Sequence, residues 1–286
     1  MLNSECGNNR SGILNSEFNI PNSELRISII TATFNSAHTI KSCLTSLKKQ
    51  TYKFEHIIID GGSTDGTIEI LNQESQKDAL IISEPDRGLY DALNKGIRSA
   101  SGDVIGFLHA DDVFADCDVL ADVAAMFELS LKNRSMASCY GDLVYVRADY
   151  TKQVVRYWKS SEFDKRRFYY GWMPPHPTFF VRKSVYQKYG GFNLELGTSA
   201  DYELMLRFLL KHGITCGYIP RILVKMRTGG VSNASVKNRL LANYNDRRAW
   251  RINGLKPFPW TLYLKPLSKI VQYIRQPENA EFRMRK

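Results

Sequence analysis

The chain has 286 residues, 43% of them hydrophobic, which suffices for one large domain or for a domain with a small appendage. Its five cysteines are scattered without a C-x-x-C pair, which indicates a reduced chain rather than a disulfide framework or a zinc site. We expect neither a signal peptide nor a membrane span, because no basic segment precedes an apolar core and no apolar run approaches the roughly 18 residues of a spanning helix.

The net charge of +10 is concentrated in one part of the chain. Residues 225–286 contain 14 Lys and Arg against 3 Asp and Glu, so the remainder is close to neutral. A basic segment of this kind favours an anionic partner: nucleic acid, an anionic membrane surface or a phosphorylated lipid. Residues 1–24 are instead polar and repeat the letters LNSE, and we predict a disordered tail there.

From residue 25 the pattern alternates between apolar runs and segments of helical periodicity. The four apolar runs are typical of buried strands, and three amphipathic segments separate them. In chain order they are LRISIITATF, NSAHTIKSCLTSLKKQ, FEHIIID, STDGTIEILNQ, ALIISEPD, GLYDALNKGIRSA and DVIGFLHADD. This order predicts an α/β fold with a doubly wound, mostly parallel sheet.

The alternation weakens beyond residue 112. ASCYGDLVYVRADY and KQVVRYWKS predict a strand hairpin, KSVYQKYGGF a short helix, and TSADYELMLRFLLKHG one amphipathic helix. ITCGYIPRILVKMR predicts one or two strands, and the remaining residues are predicted to be helical. We therefore divide the chain into the tail, one α/β domain at 25–228, and a basic helical C-terminal extension at 229–286.

Three of the four predicted strands end on acidic residues. Ligands of doubly wound sheets bind outside the carboxyl ends of the strands, where Asp60, Asp86 and the pair Asp111 and Asp112 lie. Two adjacent carboxylates repel each other unless they share a cation. An acidic rim of this kind suits Mg²⁺ or Mn²⁺ held together with substrate phosphate. The alternative for Asp111 and Asp112 is a helix cap or a solvated turn.

Two further charged positions allow a functional and a structural interpretation. Arg87 is suited to contact a base or a phosphate. Asp201 lies in the first turn of a predicted helix, where Thr198-x-x-Asp201 also fits a capping box. Asp91 and Lys95 have the i,i+4 spacing of a pair on a helix surface, and we expect them to contact each other.

His176 lies in the proline-rich turn PPHPT. A histidine in such a turn is usually structural or exposed, but Trp172 and its neighbours could equally form the floor of a ligand site. We therefore treat His176 and Trp172 as candidates for an acceptor or donor site, together with His109 beside the acidic pair.

Together these stretches resemble the family 2 inverting glycosyltransferases, whose members have the GT-A fold with a nucleotide-binding half. The similarity rests on SIITATFNSAHTIKSCLTSLKKQTYKFEHIIIDGGSTDGT, EPDRGLYDALNKGI, GDVIGFLHADD, PHPTFFVRKSVYQKYGGF and ADYELMLRF. It covers residues 26–227 and extends most closely to bacterial enzymes that build colanic-acid-like or other surface polysaccharides. It implies a GT-A-type sheet with an acceptor-side extension and C-terminal helices.

The resemblance also implies roles on the nucleotide side. Ala32 and Phe34 would border the base of a nucleotide-sugar, and Asp60 would bond to uracil or its equivalent. Arg87 would support the base or a phosphate. UDP is the expected nucleotide, and dTDP and GDP remain open.

On the reaction side, Asp111 and Asp112 match the acidic DxD region, with Asp112 as the first candidate metal ligand. His109 stands where many relatives have Asp or Asn, which leaves the number of protein ligands open. Asp201 matches the carboxylate that activates the acceptor, although Ala200 replaces the Glu that usually precedes it. The implied reaction is a single displacement in which Mg²⁺ or Mn²⁺ stabilises the departing diphosphate and a carboxylate deprotonates an acceptor hydroxyl.

The partners implied are a nucleotide-sugar donor and a glycan or polyprenyl-diphosphate-linked acceptor, with no nucleic acid. PFPWTLYLKPLSKIVQYIRQ places an apolar stripe beside basic residues, which is typical of an interfacial helix and equally of a terminal helix packed on the domain. We expect a cytoplasmic enzyme that contacts the inner face of the membrane peripherally if this helix binds lipid.

Two other functions are compatible with parts of the sequence. A non-catalytic protein that binds lipid or nucleic acid through its basic end would show salt-sensitive, metal-independent affinity. A nucleotidyltransferase also pairs acids with Mg²⁺, but TATFNSAHT lacks the glycine and the cation of its phosphate loop. The non-catalytic alternative also leaves the ordered acidic rim unexplained.

Overall fold

The computed structural model describes residues 25–129, 136–147, 153–228, 236–267 and 272. The tail predicted at 1–24 lies outside these residues. The first half alternates as its periodicity predicts. Its elements are β1 Ile27–Thr33, α1 Ile40–Lys48, β2 Phe54–Asp60, α2 Thr67–Glu74, β3 Leu80–Ser83, α3 Leu89–Ser99 and β4 Val104–Phe107.

The second half contains strands of unequal length and the C-terminal helices. Its elements are β5 Val113–Phe114, α4 Val119–Leu129, β6 Ser138–Val146, β7 Val154–Trp158, β8 Phe180–Arg182, α5 Lys183–Tyr189, α6 Ala200–Met205, β9 Cys216–Arg227, α7 Val236–Ile252 and α8 Thr261–Leu267. The predicted hairpin is confirmed as the antiparallel pair β6 and β7. The single amphipathic helix predicted from residue 198 is wrong in its second half, because α6 continues as a π-helical stretch, Leu206–Lys211.

Within the described ranges, nine strands form one mixed sheet. Its order is β3-β2-β1-β4-β8-β6-β9-β5, with β7 paired to β6. The pairs among β1 to β4 are parallel, as predicted for a doubly wound half. The second half is joined by the antiparallel pairs of β8 with β4 and with β6. The sheet is therefore parallel in the half that carries the strand-end acids and mixed beyond it.

Helices cover both faces of the parallel half, which explains its continuous apolar runs. Side chains of a strand alternate between faces, so Ile29 packs with α1 and α4 while Ile30 packs with α3 on the other side. Trp250 of α7 is buried in the same cluster as Tyr202 of α6, and its Nε1 donates to the Tyr202 hydroxyl over 2.9 Å. The described part of the C-terminal segment thus packs on the α/β core, and the boundary at residue 229 stays a prediction.

The strand predicted to run to Asp112 ends earlier, at Phe107. Leu108 N–H still donates to Ile30 O, but a turn follows in which Asp112 N–H donates to His109 O. This turn redirects the chain into β5, where Val113 pairs with Lys225 of β9. The acidic pair therefore lies on a connection between two parts of the sheet rather than on a strand.

Two smaller predictions are wrong. Cys117 is disulfide-bonded, so the chain is not fully reduced, whereas Cys43, Cys139 and Cys216 are free thiols. The capping box from Thr198 does not form, because the residue that caps α6 is Ser199 and it makes no side-chain capping bond. Among the helices described, none has the length and apolar character needed to cross a bilayer.

Candidate active site

The nucleotide side of the site lies at the carboxyl ends of β1, β2 and β3. Phe34 directly follows β1 and is 61% exposed, which is unusual for a ring beside a buried strand. A Cβ placed on Gly61 would lie 3.3 Å from the Phe34 ring and 2.8 Å from an Asp86 carboxylate oxygen. Because Gly61 has no Cβ, the Phe34 ring and the Asp86 carboxylate can both pack against its backbone. Ala32 is buried beneath this rim, and its predicted place beside a base stays a prediction.

Asp60 is fully buried and organises the loop that follows β2. Its Oδ2 accepts from the backbone N–H groups of Gly62 and Ser63, each over 3.0 Å, and from the Ser83 hydroxyl over 2.7 Å. Its Oδ1 accepts from the Ser63 hydroxyl. Both oxygens are thus engaged within the chain, and a direct bond from Asp60 to a base stays a prediction.

The start of α3 differs from the expected pairing. Asp91 accepts from the Arg87 backbone N–H over 3.0 Å and lies 3.5 Å from the Arg87 guanidinium. Lys95 instead reaches back to Glu84 and to Pro85 O, each over 2.9 Å. The predicted contact between Asp91 and Lys95 is therefore wrong, because both side chains fix the loop before the helix. The Arg87 side chain remains 79% exposed at this rim.

Asp112 is the most unusual residue of the acidic pair. It is fully buried, and neither carboxylate oxygen has a hydrogen-bond partner among the described residues. Burial raises the pKa of Asp112 well above its ordinary value and the charge of Asp111 raises it further, whereas the backbone N–H of Arg227 and the Arg227 charge lower it by less. The Arg227 guanidinium donates to Asp111 O over 2.8 Å and to the Ser42 hydroxyl over 2.9 Å, which ties β9 to this turn.

A divalent cation would satisfy this arrangement. Native proteins rarely leave a buried carboxylate without partners, and each such group calls for an explanation. Asp112 and the partly exposed Asp111 offer two hard oxygen ligands. The described residues contain no cluster of three His, Cys, Asp or Glu side chains, so ligands beyond these two carboxylates would have to come from substrate phosphate or water.

Two histidines extend from the acidic pair toward the other side of the site. The ring of His109 stacks on that of His176 at 6.2 Å, and His176 stacks on Phe107 at 5.6 Å. Burial lowers the pKa of each histidine to about 4, and the charges of Asp111 and Asp201 partly oppose this shift at His109. Both rings are therefore neutral near pH 7. His109 Nδ1 and His176 Nε2 are buried without partners among the described residues.

Asp201 lies at the start of α6. The charges of Asp111 and Asp201, about ninety positions apart in the chain, both act on His109. Trp172, also predicted here, is buried with the Arg167 guanidinium 4.2 Å above its ring. Its indole N–H has no acceptor among the described residues.

Sequence reasoning missed Tyr90. Its hydroxyl hydrogen-bonds with Asp201, and burial together with the Asp201 charge raises the pKa of Tyr90 well above its ordinary value. The ring packs on Phe192 at 5.1 Å, and Asn94 holds Phe192 through two backbone bonds of 2.9 and 2.8 Å. Helix α3 thus supports Asp201 from the side. The signal lay in GLYDALNKG, for which the sequence predicted only a helix and a contact between Asp91 and Lys95.

A family model described as "Glycosyl transferase family 2" matches residues 28–190, which include the nucleotide-side loops, the acidic pair and both histidines. The chain belongs to this family. It is therefore a glycosyltransferase, and neither the non-catalytic binder nor the nucleotidyltransferase describes it. The family also accounts for the α/β architecture with its mostly parallel first half.

Two of the similar relatives come from mycobacteria. An uncharacterized glycosyltransferase of Mycobacterium tuberculosis is 35% identical over 187 residues, which cover 64% of this chain and 69% of that protein. A glycosyltransferase of Mycobacterium bovis, named for PGL/p-HBAD biosynthesis, is 31% identical over 219 residues, covering 75% of this chain and 82% of that protein.

Solved structures show the same GT-A-like fold. Staphylococcus aureus TarS 1-349 in complex with UDP aligns with a TM-score of 0.59 and 18% identity, over 80% of this chain and 70% of that one. The mannosyltransferase PcManGT of Pyrobaculum calidifontis, solved with GDP-Man and Mn²⁺, aligns with a TM-score of 0.57 and 18% identity, over 86% of this chain and 70% of that one. At this identity the likeness establishes the fold alone.

Proposed function

We propose that this family 2 enzyme transfers a sugar, with inversion, from a UDP-sugar to a hydroxyl of a glycan or lipid-linked acceptor in surface polysaccharide biosynthesis, and that it depends on a divalent metal. The observation that carries this proposal is the fully buried Asp112 beside Asp111, a carboxylate pair whose charge Arg227 offsets only in part. The structural neighbours solved with UDP and with GDP-Man and Mn²⁺ support a nucleotide-sugar donor and a cation.

We assign one group of residues to the nucleotide-sugar donor and another to the acceptor. Phe34 offers its exposed face to the base, and Arg87 offers an exposed guanidinium to the base or the diphosphate. Asp111 and Asp112 would hold Mg²⁺ or Mn²⁺, which when bound supplies charge stabilisation for the diphosphate. These contacts orient the donor with its sugar toward His109 and His176, whose neutral rings provide a largely apolar wall.

Asp201 acts from the opposite side as the proton acceptor. Its carboxylate takes the proton of the acceptor hydroxyl as that oxygen attacks the anomeric carbon, and the bond to the diphosphate breaks in the same displacement. One displacement inverts the anomeric configuration, by the stereochemical logic of inverting hydrolysis. Tyr90 donates to Asp201 and fixes the direction in which the carboxylate points.

The test is transfer and donor turnover by purified protein with UDP-, dTDP- and GDP-sugars, comparing wild type with Asp201→Asn. We expect a loss of roughly 10²- to 10⁴-fold in turnover with donor affinity unchanged, because the variant removes only the proton acceptor. Glu195→Gln is a matched control, since this 79%-exposed carboxylate lies in the segment just before α6. Asp201→Asn with near-normal turnover, or a product of retained configuration, would contradict the assignment.

A further inference from the structure

Four exposed aromatic side chains form one patch on the described surface. Tyr170, Phe258, Trp260 and Tyr263 are 57%, 41%, 49% and 64% exposed. The Phe258 ring centroid lies 5.1 Å from that of Trp260 and 6.4 Å from that of Tyr170. Scattered exposed apolar residues need no explanation, whereas contiguous ones mark an interaction site.

Buried neighbours hold the patch in place. Tyr170 ends the 3₁₀ helix Lys165–Tyr170, and Tyr263 lies in the first turn of α8. The Thr261 hydroxyl donates to Tyr169 O over 2.7 Å and joins the two segments. Between the exposed rings, Leu262 points inward and is buried. The apolar residues predicted to form one stripe therefore have two roles. Thr261 and Leu262 anchor α8 to the core, whereas Trp260 and Tyr263 are exposed near Phe258.

Positive charge surrounds the rings. Lys165 on the 3₁₀ helix, Arg251 at the end of α7 and Lys256 between α7 and α8 are exposed. The Arg247 guanidinium lies 5.8 Å from the Tyr263 ring centroid. The nearby acids are largely neutralised: Asp164 pairs with Arg166 over 2.8 Å, and the buried Asp246 pairs with Lys265 over 2.7 Å. Glu162 is the exposed acid just before the 3₁₀ helix.

Amphipathic rings mixed with cations are characteristic of membrane interfaces, where Trp and Tyr lie at headgroup level and Lys and Arg meet anionic lipid. We propose that this aromatic and basic patch is the surface by which the enzyme rests on an anionic bilayer. The net charge of residues 225–286 is complementary to such a surface.

The patch also lies on the acceptor side of the site. The 3₁₀ helix Lys165–Tyr170 leads within two residues to Trp172, and Lys265 of α8 places its Nζ 3.6 Å from the centroid of the Tyr202 ring, next to Asp201. A bilayer on this face would present a lipid-linked hydroxyl to Asp201. This orientation rests on the proposed function, whereas membrane binding itself does not.

The experiment is co-sedimentation of the full chain with vesicles of phosphatidylcholine alone and of phosphatidylcholine with phosphatidylglycerol. We expect binding to the anionic vesicles that weakens with salt. Trp260→Ser with Tyr263→Ser should lower the affinity about tenfold, because two rings no longer insert. Lys256→Glu should lower it at least about fivefold. Leu129→Ser and Lys49→Glu, at exposed positions on α4 and directly after α1, should leave it unchanged.

Two further measurements on the same preparations separate the possible outcomes. Melting temperature and nucleotide-sugar turnover with a soluble acceptor report the fold and the proposed function, and neither should change in the patch variants. The proposal is overturned if the wild type ignores anionic vesicles, or if patch and control variants lose binding equally. It is also overturned if the patch variants convert a dimer to a monomer without affecting sedimentation, which would assign the surface to a second copy of the chain.

Discussion

Two buried aspartates offer a direct test of what Asp112 is for. Asp112 and Asp142 are 0% and 1% exposed, so their burial is matched. Asp142 accepts from the hydroxyls of Tyr157 and Tyr218 over 2.6 and 2.8 Å and from Ser160 N–H over 2.7 Å. Asp112 has no hydroxyl donor among the described residues, and Arg227 acts on it through its backbone N–H and its charge. The same substitution to asparagine should therefore have opposite consequences at the two positions.

Without ligand, Asp142→Asn should lower the free energy of unfolding by about 1–3 kcal/mol, because the amide leaves hydroxyl donors unmatched. Asp112→Asn should keep or raise stability near pH 7, since it removes a buried charge that the fold does not compensate. Because the folded pKa of Asp112 is raised, the wild type loses stability as pH rises above the ordinary aspartate value of about 4, and the variant lacks that loss.

With saturating nucleotide and Mn²⁺ the order should reverse. At 100 times the dissociation constant, a ligand stabilises the native state by about 2.7 kcal/mol. For a chain of this size that corresponds to a rise in melting temperature of about 5–10 °C. We expect this shift in the wild type and in Asp142→Asn, and its loss in Asp112→Asn or on addition of EDTA. Differential scanning fluorimetry measures all three. An unliganded Asp112→Asn that melts well below wild type, or that keeps the full ligand shift, would refute the reasoning.

Three other perturbations have defined outcomes. A Cβ on Gly106 would overlap the Phe180 ring, so Gly106→Ala should cost about 1–3 kcal/mol in urea unfolding, with partial recovery when Phe180→Leu is added. Tyr90→Phe should reduce kcat roughly tenfold to hundredfold with donor KM unchanged, because a hydrogen bond to a charged group is lost; an unchanged kcat would remove Tyr90 from the site. Burial lowers the pKa of His56 to about 4, so as the pH falls this histidine is protonated in the unfolded chain before it is protonated in the folded one. The free energy of unfolding should therefore fall by about 3 kcal/mol between about pH 6.5 and about pH 4. Acid unfolding of His56→Gln should show a smaller fall, whereas the exposed His38→Gln should follow wild type.

The parallel half of the fold could be predicted from sequence because its cause is local. Helices bury both faces of β1, β2 and β4, so each strand is a continuous apolar run that ends where polar letters begin. The end of β4 was misplaced because apolar letters continue through Leu108 after the strand has ended. After β4 the chain turns toward β5, where Val113 pairs with Lys225, more than a hundred residues away. The residues around Leu108 do not indicate this long-range pairing.

The candidate site divides in the same way. Strand-end acids could be located from the topology rule, and the four bonds that engage Asp60 come largely from Gly62 and Ser63, within three residues of it. The contact of Tyr90 with Asp201 could not be found, because it depends on how α3 packs beside α6. The burial of Asp112 could not be predicted either, since two adjacent aspartates in a sequence do not indicate which carboxylate is buried.

The placement of β9 has a consequence for biosynthesis. Strands β1 to β4 are complete once residue 107 has been made, but the turn that carries Asp111 is tied down by Arg227, at the end of β9. Translation adds roughly 5–20 residues per second, so on the order of 10 s separate the two events on the ribosome. A nascent chain can thus fold its nucleotide half first and acquire its acidic rim later. Substitutions in β9 should therefore lower the yield of active enzyme per chain synthesised more than they lower the folding of the first hundred residues.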